Sequence, residues 1–152
     1  MDTAEEDKPR ISDEQMLARF QNSTKRPPCT DTLGARLTRV DQAAMACSFE
    51  FEAHSSFANP TGAIQGGFIC AMLDEAMSTT AIIASNVTMN APTLEMKVSF
   101  LRPLFVGRAR AEARILKWGR SICFIEADLY DATGGLVARA SATQAPKPFK
   151  RF

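Results

Sequence analysis

Histidine is almost missing from this 152-residue chain: His54 stands alone. That excludes a multi-histidine metal site and leaves acid–base chemistry to carboxylates, hydroxyls and amides. An excess of one charge is missing as well, with 18 Lys+Arg against 17 Asp+Glu and a formal net charge of +1. A dedicated nucleic-acid binder carries a basic excess, so no nucleic-acid partner is expected. The longest apolar segment, residues 68–84, is interrupted by Asp74, Glu75, Ser78, Thr79 and Thr80, and no run reaches bilayer-spanning length. The N-terminal MDTAEEDKPR has no basic stretch followed by an apolar one, which predicts no secretory leader and a cytoplasmic protein. Cys29, Cys47, Cys70 and Cys123 form no CxxC pair, which speaks against a zinc knuckle or redox pair and predicts reduced, partly buried thiols.

What is present is ordinary for a folded domain: 45% hydrophobic and 23% charged residues, in a length that suits one core. Three regions are expected: an N-terminal extension over 1–29, the main domain over 30–146, and a short basic, solvated tail over 147–152. The first ten residues read as frayed. Ile11, Met16, Leu17 and Phe20 then predict a short amphipathic helix over 11–22, capped by Ser12 or Asp13. Period-2 alternation predicts strands over 33–41, 44–51, 93–101, 106–117, 121–130 and 136–144, the last two joined by a hairpin at Gly134-Gly135. Residues 53–64 read as a long loop.

Between them, residues 68–85 predict one long helix, apolar around most of its circumference. Such a helix needs a surface that wraps it. A strongly curved antiparallel sheet does so on one side, and a partner protomer or the N-terminal helix must cover the rest. The fold class is therefore α+β, with about six strands around a central helix.

The segment that carries chemistry is Asn59, Gly62, Gln65-Gly66-Gly67 and then Asp74. The paired glycines fall where loop becomes helix. Backbone N–H groups there have no intrahelical acceptor, point along the positive end of the helix dipole, and can be approached closely past a glycine. That arrangement suits a developing oxyanion, and it equally suits a glycine N-terminus packed tightly on a strand. Asp74, two turns into an apolar helix, is either a carboxylate turned into a cleft or one emerging at the solvent edge; with Glu75 rotated by about 100°, at most one of the two faces a pocket. Asn59 and Gln65 are amides that can position water or donate to a carbonyl, and Asn59 before Pro60 also suits loop capping. His54 reads as a surface histidine. The Arg108, Arg110 and Arg114 stripe reads as a solvated or oligomer-facing strand face, or as a phosphate clamp.

This run resembles the hotdog-fold thioesterases of the phenylacetic-acid-degradation type. They carry Asn, Gly and His-Gly-Gly, with an acidic residue eight positions after the first paired glycine; here the His position is Gln65 and the acid is Asp74. The segments PTLEMKVSFLRP and GRSICFIEADLYDATGGLVARASATQ resemble the family's third strand and last hairpin, and the likeness spans about residues 30–146. It implies an acyl-CoA thioesterase with no cofactor beyond the CoA of its substrate, assembled as a homodimer at least and as a homotetramer by family habit. Asp74 would be base or nucleophile and the Gly66 N–H the oxyanion donor, across a subunit boundary. Asn59, Gln65 and Thr93 would complete the catalytic set. Gly67, Phe68, Arg102, Lys117 and Arg120 would contact substrate, and Phe57, Phe68, Met72, Met77 and Met89 are candidate pocket walls. Because Gln cannot titrate, a non-catalytic acyl-CoA-binding or scaffold protein is the alternative.

Overall fold

Period-2 burial marks the strands over 107–118, 123–131 and 136–144, and the apolar helix packs against the face they bury. The computed structural model describes residues 9–149; most of the stretch expected to be frayed, and the last three residues of the basic tail, lie outside them. In order the chain forms α1 (Asp13–Gln21), α2 (Pro28–Thr32), β1 (Arg36–Asp41), β2 (Ala46–Ala53), α3 (Gly66–Ala84), β3 (Met89–Asn90), β4 (Thr93–Phe100), β5 (Gly107–Trp118), β6 (Cys123–Asp131), β7 (Leu136–Gln144) and β8 (Lys147–Pro148).

Six strands form one antiparallel sheet in the order β1-β2-β5-β6-β7-β4. Ala109, Ala111, Ala113 and Ile115 of β5 and Ile125, Ala127 and Leu129 of β6 are buried, and α3 packs mainly against these two strands. Small alanines on the sheet let the bulky α3 residues Ile69, Met72, Leu73, Met77 and Ile83 approach closely. Met72 and Met77 have no accessible surface, so they fill the core rather than wall a pocket. By length and hydropathy α3 could cross a bilayer, but here it is the helix that the sheet wraps.

At the N-terminus Ser12 is the cap: its hydroxyl accepts from the Gln15 N–H, and the Gln15 side chain accepts from the Ser12 N–H. Met16 is fully buried, and α1 lies on β1, so the N-terminal helix does cover part of the core. Three elements escape the sequence reading: α2, β3 and β8. Proline at N1 starts the five-residue α2. The expected solvated tail instead begins with β8, which pairs with β3, although Lys147 and Pro148 remain exposed. Two-residue strands carry too little periodicity to be read.

The edge strand β4 differs. Its alternating apolar set Leu94, Met96, Val98, Phe100 is not buried throughout: Leu94 is 59% and Phe100 53% exposed. β4 ends the sheet, so one of its edges has no strand beside it.

Candidate functional site

The loop before α3 is held by backbone hydrogen bonds within itself and to Leu104. The Asn59 N–H donates to the Ala63 carbonyl at 2.7 Å, Ile64 N–H to Leu104 at 2.7 Å, and Gln65 N–H to Phe57 at 2.8 Å. Gly62 sits at φ +85°, where a side chain would be strained. The Asn59 side-chain oxygen accepts from the Thr61 N–H at 2.9 Å and the Thr61 hydroxyl at 2.7 Å, the capping use of Asn in a turn. Its bonds are thus local, and they shape the loop that presents the helix start.

At that start Gln65 is the N-cap, its side-chain oxygen accepting the Gly67 N–H at 2.7 Å. A Cβ on Gly67 would lie 2.7 Å from that oxygen, so a side chain here would make the Gln65 amide shift from this cap geometry. Among the described residues the Gly66 N–H has no hydrogen-bond acceptor. The Phe100 ring lies against Gly66, 3.2 Å from where a Cβ would stand. Phe68 is half-buried and stacks on Phe57 with ring centroids 4.1 Å apart.

Two turns along, Asp74 is half-buried and its Oδ1 accepts from the Thr93 hydroxyl at 2.6 Å. Glu75 turns to the other side, where it accepts from the Thr30 hydroxyl at 2.8 Å. It lines an apolar cavity of about 330 Å³ between the N-terminal segment, β1, β2 and α3, which Asp74 does not line. Asp74 and Thr93 are therefore brought together. Asp74 and Gly66 are not: eight residues at 1.5 Å each separate them by about 12 Å along the helix.

Behind Thr93 lies a residue the sequence reading missed. Gln144, at the end of β7, is fully buried, and its Nε2 donates to Ser78 Oγ at 3.1 Å and Thr93 Oγ1 at 3.2 Å. The available signal was an amide at the inward position that follows Ala138, Ala140 and Ala142.

The basic candidates do not converge. Arg102 lies beside Gly135 and Asp131 at the β6–β7 turn, and its charge, behind the Thr133 and Gly135 hydrogen bonds, helps hold the Asp131 carboxyl below its ordinary range. Lys117 and Arg120 flank the β5–β6 turn, at the opposite end of β6 and so about 30 Å away. In one chain these three cannot grip one phosphate group. The arginine stripe is neutralised in place. Arg114 pairs with Glu126, Arg110 with Glu112 while stacking over Tyr130 at 4.7 Å, and Arg108 with Glu52 at 3.7 Å. It is a salt-bridged outer sheet face, and the phosphate-clamp reading loses its free cations. His54 is exposed and caps the 3-10 turn Ser55–Phe57 through Nδ1, a surface role as expected. Among the described residues no cluster of His, Cys, Asp and Glu could hold a metal.

All four cysteines are free thiols; Cys29 is exposed, Cys70 intermediate, and Cys47 and Cys123 buried. Burial pushes Cys47 up to about 12 and Cys123 up to about 11. Cys70, one turn before Asp74, is raised by burial and then by the Asp74 charge.

Comparison with known proteins identifies the family. Residues 61–138 match the family model of the thioesterase superfamily. The chain is 32% identical to a phenylacetic acid degradation-related protein from Ralstonia eutropha JMP134, with a TM-score of 0.78 over 85% of this chain and 98% of that one. It is 25% identical over 119 residues to acyl-coenzyme A thioesterase 13 of Mus musculus, covering 77% of this chain and 84% of the mouse protein. A Saccharolobus solfataricus protein named an esterase by inference is 31% identical over 84 residues, 55% of this chain; the match spans 59% of that protein, less than two thirds of its length. The sheet wrapped around one apolar helix is the fold of these relatives, and with the family model matched over residues 61–138 the chain belongs to the thioesterase superfamily.

Proposed function

We propose that the protein hydrolyses an acyl-CoA thioester to CoA and a free acid, using Asp74 and the Gly66 N–H at a site shared between two copies of the chain. The observation that carries this is Asp74 itself: a half-buried carboxylate on the core helix of a thioesterase-superfamily chain, with one oxygen held by Thr93. Burying a carboxylate is costly, so a helix that needed only packing would carry an apolar residue there.

The chemistry follows from the groups present. Thr93 occupies a lone pair of Oδ1, which leaves Oδ2 to take a proton from a water attacking the thioester carbonyl, or to attack that carbon itself. Negative charge on the carbonyl oxygen is met by the Gly66 N–H at the positive end of α3. The tetrahedral intermediate then collapses and the CoA sulfur leaves as thiolate; in the first route it takes back the proton that Asp74 accepted, and in the second water cleaves the anhydride formed on Asp74 and frees the acid. One carbonyl must lie about 3 Å from both groups, and a single helix holds them about 12 Å apart. A second copy, its α3 running the opposite way, supplies the missing half. The open edge of β4, with Leu94 and Phe100 exposed, is the surface along which that copy pairs. Further pairing of dimers into a tetramer through the outer sheet face, where Leu116 and Phe124 are exposed, completes the proposal.

Gln65 fits as the cap that presents the glycine turn. Its role is structural, so it need not titrate. The deciding experiment is an acyl-CoA panel read by thiol release, run on the wild type and on Asp74→Asn. Turnover by the first and loss of kcat in a folded second are expected. Binding of acyl-CoA with no CoA release would replace the hydrolase with a binding protein, and equal turnover in both would remove Asp74 from the mechanism.

A further inference from the structure

We propose that Gln144 is a positioning residue for the reaction: its side-chain amide fixes the direction of the Thr93 hydroxyl, so that Asp74 is held with one oxygen engaged and the other free. The inference rests on the reading of Asp74 as base or nucleophile.

The hydrogen count decides the argument. Thr93 has one hydroxyl hydrogen, and an ionised carboxylate only accepts. At 2.6 Å from Asp74 Oδ1 that hydrogen points to Asp74. Whatever faces Thr93 Oγ1 from behind must then be a donor. Gln144 places its amide nitrogen there, at 3.2 Å, and spends its second N–H on Ser78 Oγ at 3.1 Å. The relay therefore runs amide to hydroxyl to carboxylate, each bond polarising the next. An amide turned the other way would accept the Thr93 hydrogen and take it from Asp74.

The position of Gln144 is set by the sheet. In register it lies between Thr93 on β4 and Cys123 on β6. Ser78 is one helical turn beyond Asp74 on α3. One amide thus ties the helix that carries the carboxylate to the strand that carries the hydroxyl.

The same amide is costly for stability. Gln144 has no accessible surface, and among the described residues its Oε1 is a buried acceptor with no donor. A buried unpaired acceptor is penalised, and an aliphatic side chain of similar size would remove the penalty. A core position that keeps an amide at this cost, with its nitrogen aimed at the hydroxyl that holds Asp74, points to a role in positioning.

The test measures kcat, KM and melting temperature for Gln144→Leu, Gln144→Met, Thr93→Val and the Gln144→Leu/Thr93→Val double variant. Each Gln144 variant is expected to lower kcat by about 10- to 100-fold, since small misplacements of a catalytic group have costs of that size. KM should stay within about twofold, because the interaction acts on the reacting carboxylate. The double variant should be no slower than Thr93→Val alone, because Gln144 acts only through Thr93. Independently of turnover, the Gln144 amide protons in ¹⁵N-labelled protein should exchange slowly and show a nuclear Overhauser contact to the Thr93 hydroxyl proton. Wild-type kcat in both Gln144 variants, additive losses in the double variant, or an amide oxygen facing Thr93 would overturn the proposal while the hydrolase stands. A wild type inert on the whole acyl-CoA panel would overturn the hydrolase and this proposal together.

Discussion

The Thr93 hydroxyl donates to Asp74 Oδ1 at 2.6 Å, joining the first residue of edge strand β4 to the middle of the core helix. Thr93→Val keeps the shape of the side chain and removes the donor. The carboxylate then loses its fixed orientation, and kcat is expected to fall by about 10- to 100-fold. Thr93→Ser, which keeps the hydroxyl, should restore most of the rate. Steady-state kinetics on the three proteins checks this; equal rates for Val and Ser would show that the hydroxyl is idle.

Gly67 and Gln65 form one structural unit. An alanine methyl at Gly67 would meet the Gln65 oxygen at 2.7 Å and make that amide shift from its cap geometry. Gly67→Ala and Gln65→Ala are each expected to cost about 1 kcal/mol, the usual worth of an N-cap. Gln65→His should keep the cap, because His54 already accepts a backbone N–H through Nδ1 at the 3-10 turn. Urea unfolding of the four proteins decides it. An unchanged midpoint in Gln65→Ala would mean the cap contributes nothing.

The buried thiols predict alkaline behaviour. Cys47 stands at about 12 in the folded chain against an ordinary 9.0, raised by burial. Below pH 9 both folded and unfolded forms hold the proton and the full stability is present. Above it the unfolded thiol ionises first, and stability falls by about 1.4 kcal/mol per pH unit until the folded thiol titrates near 12. Cys47→Val should flatten that slope in denaturant melts taken between pH 8 and 11. In the native protein at neutral pH, a thiol reagent should modify Cys29 rapidly and leave Cys47 and Cys123 unmodified. Fast labelling of all four would contradict this packing.

The open β4 edge predicts assembly. Light scattering at micromolar concentration is expected to give a dimer or larger. Leu94→Lys with Leu101→Lys places two charges on exposed apolar positions at this edge. Dissociation and loss of hydrolysis should then occur together, because the proposed site takes Asp74 and Gly66 from different copies. A fully active monomer would end the shared-site proposal.

Much of this was legible in the chain. Alternation in Ala109, Ala111, Ala113 and Ile115 determined a strand and which face of it is buried. The all-round apolar character of residues 68–84 determined a wrapped helix, and the Gly66-Gly67 to Asp74 spacing placed a helix start and a carboxylate on that helix. These are local properties: the period of a backbone and the chemistry of a side chain travel with the sequence. Partnership does not. That Asp74 meets Thr93 while Glu75 meets Thr30, that the arginine stripe is neutralised by Glu52, Glu112 and Glu126, and that Arg102 lies a strand's length from Lys117 depend on how the strands are ordered and which way the helix is rotated. Gln144 shows the difference most clearly. Its residue type and inward position were readable, but only closure of β7 against β4 and α3 brought its nitrogen to the one hydroxyl that holds the carboxylate.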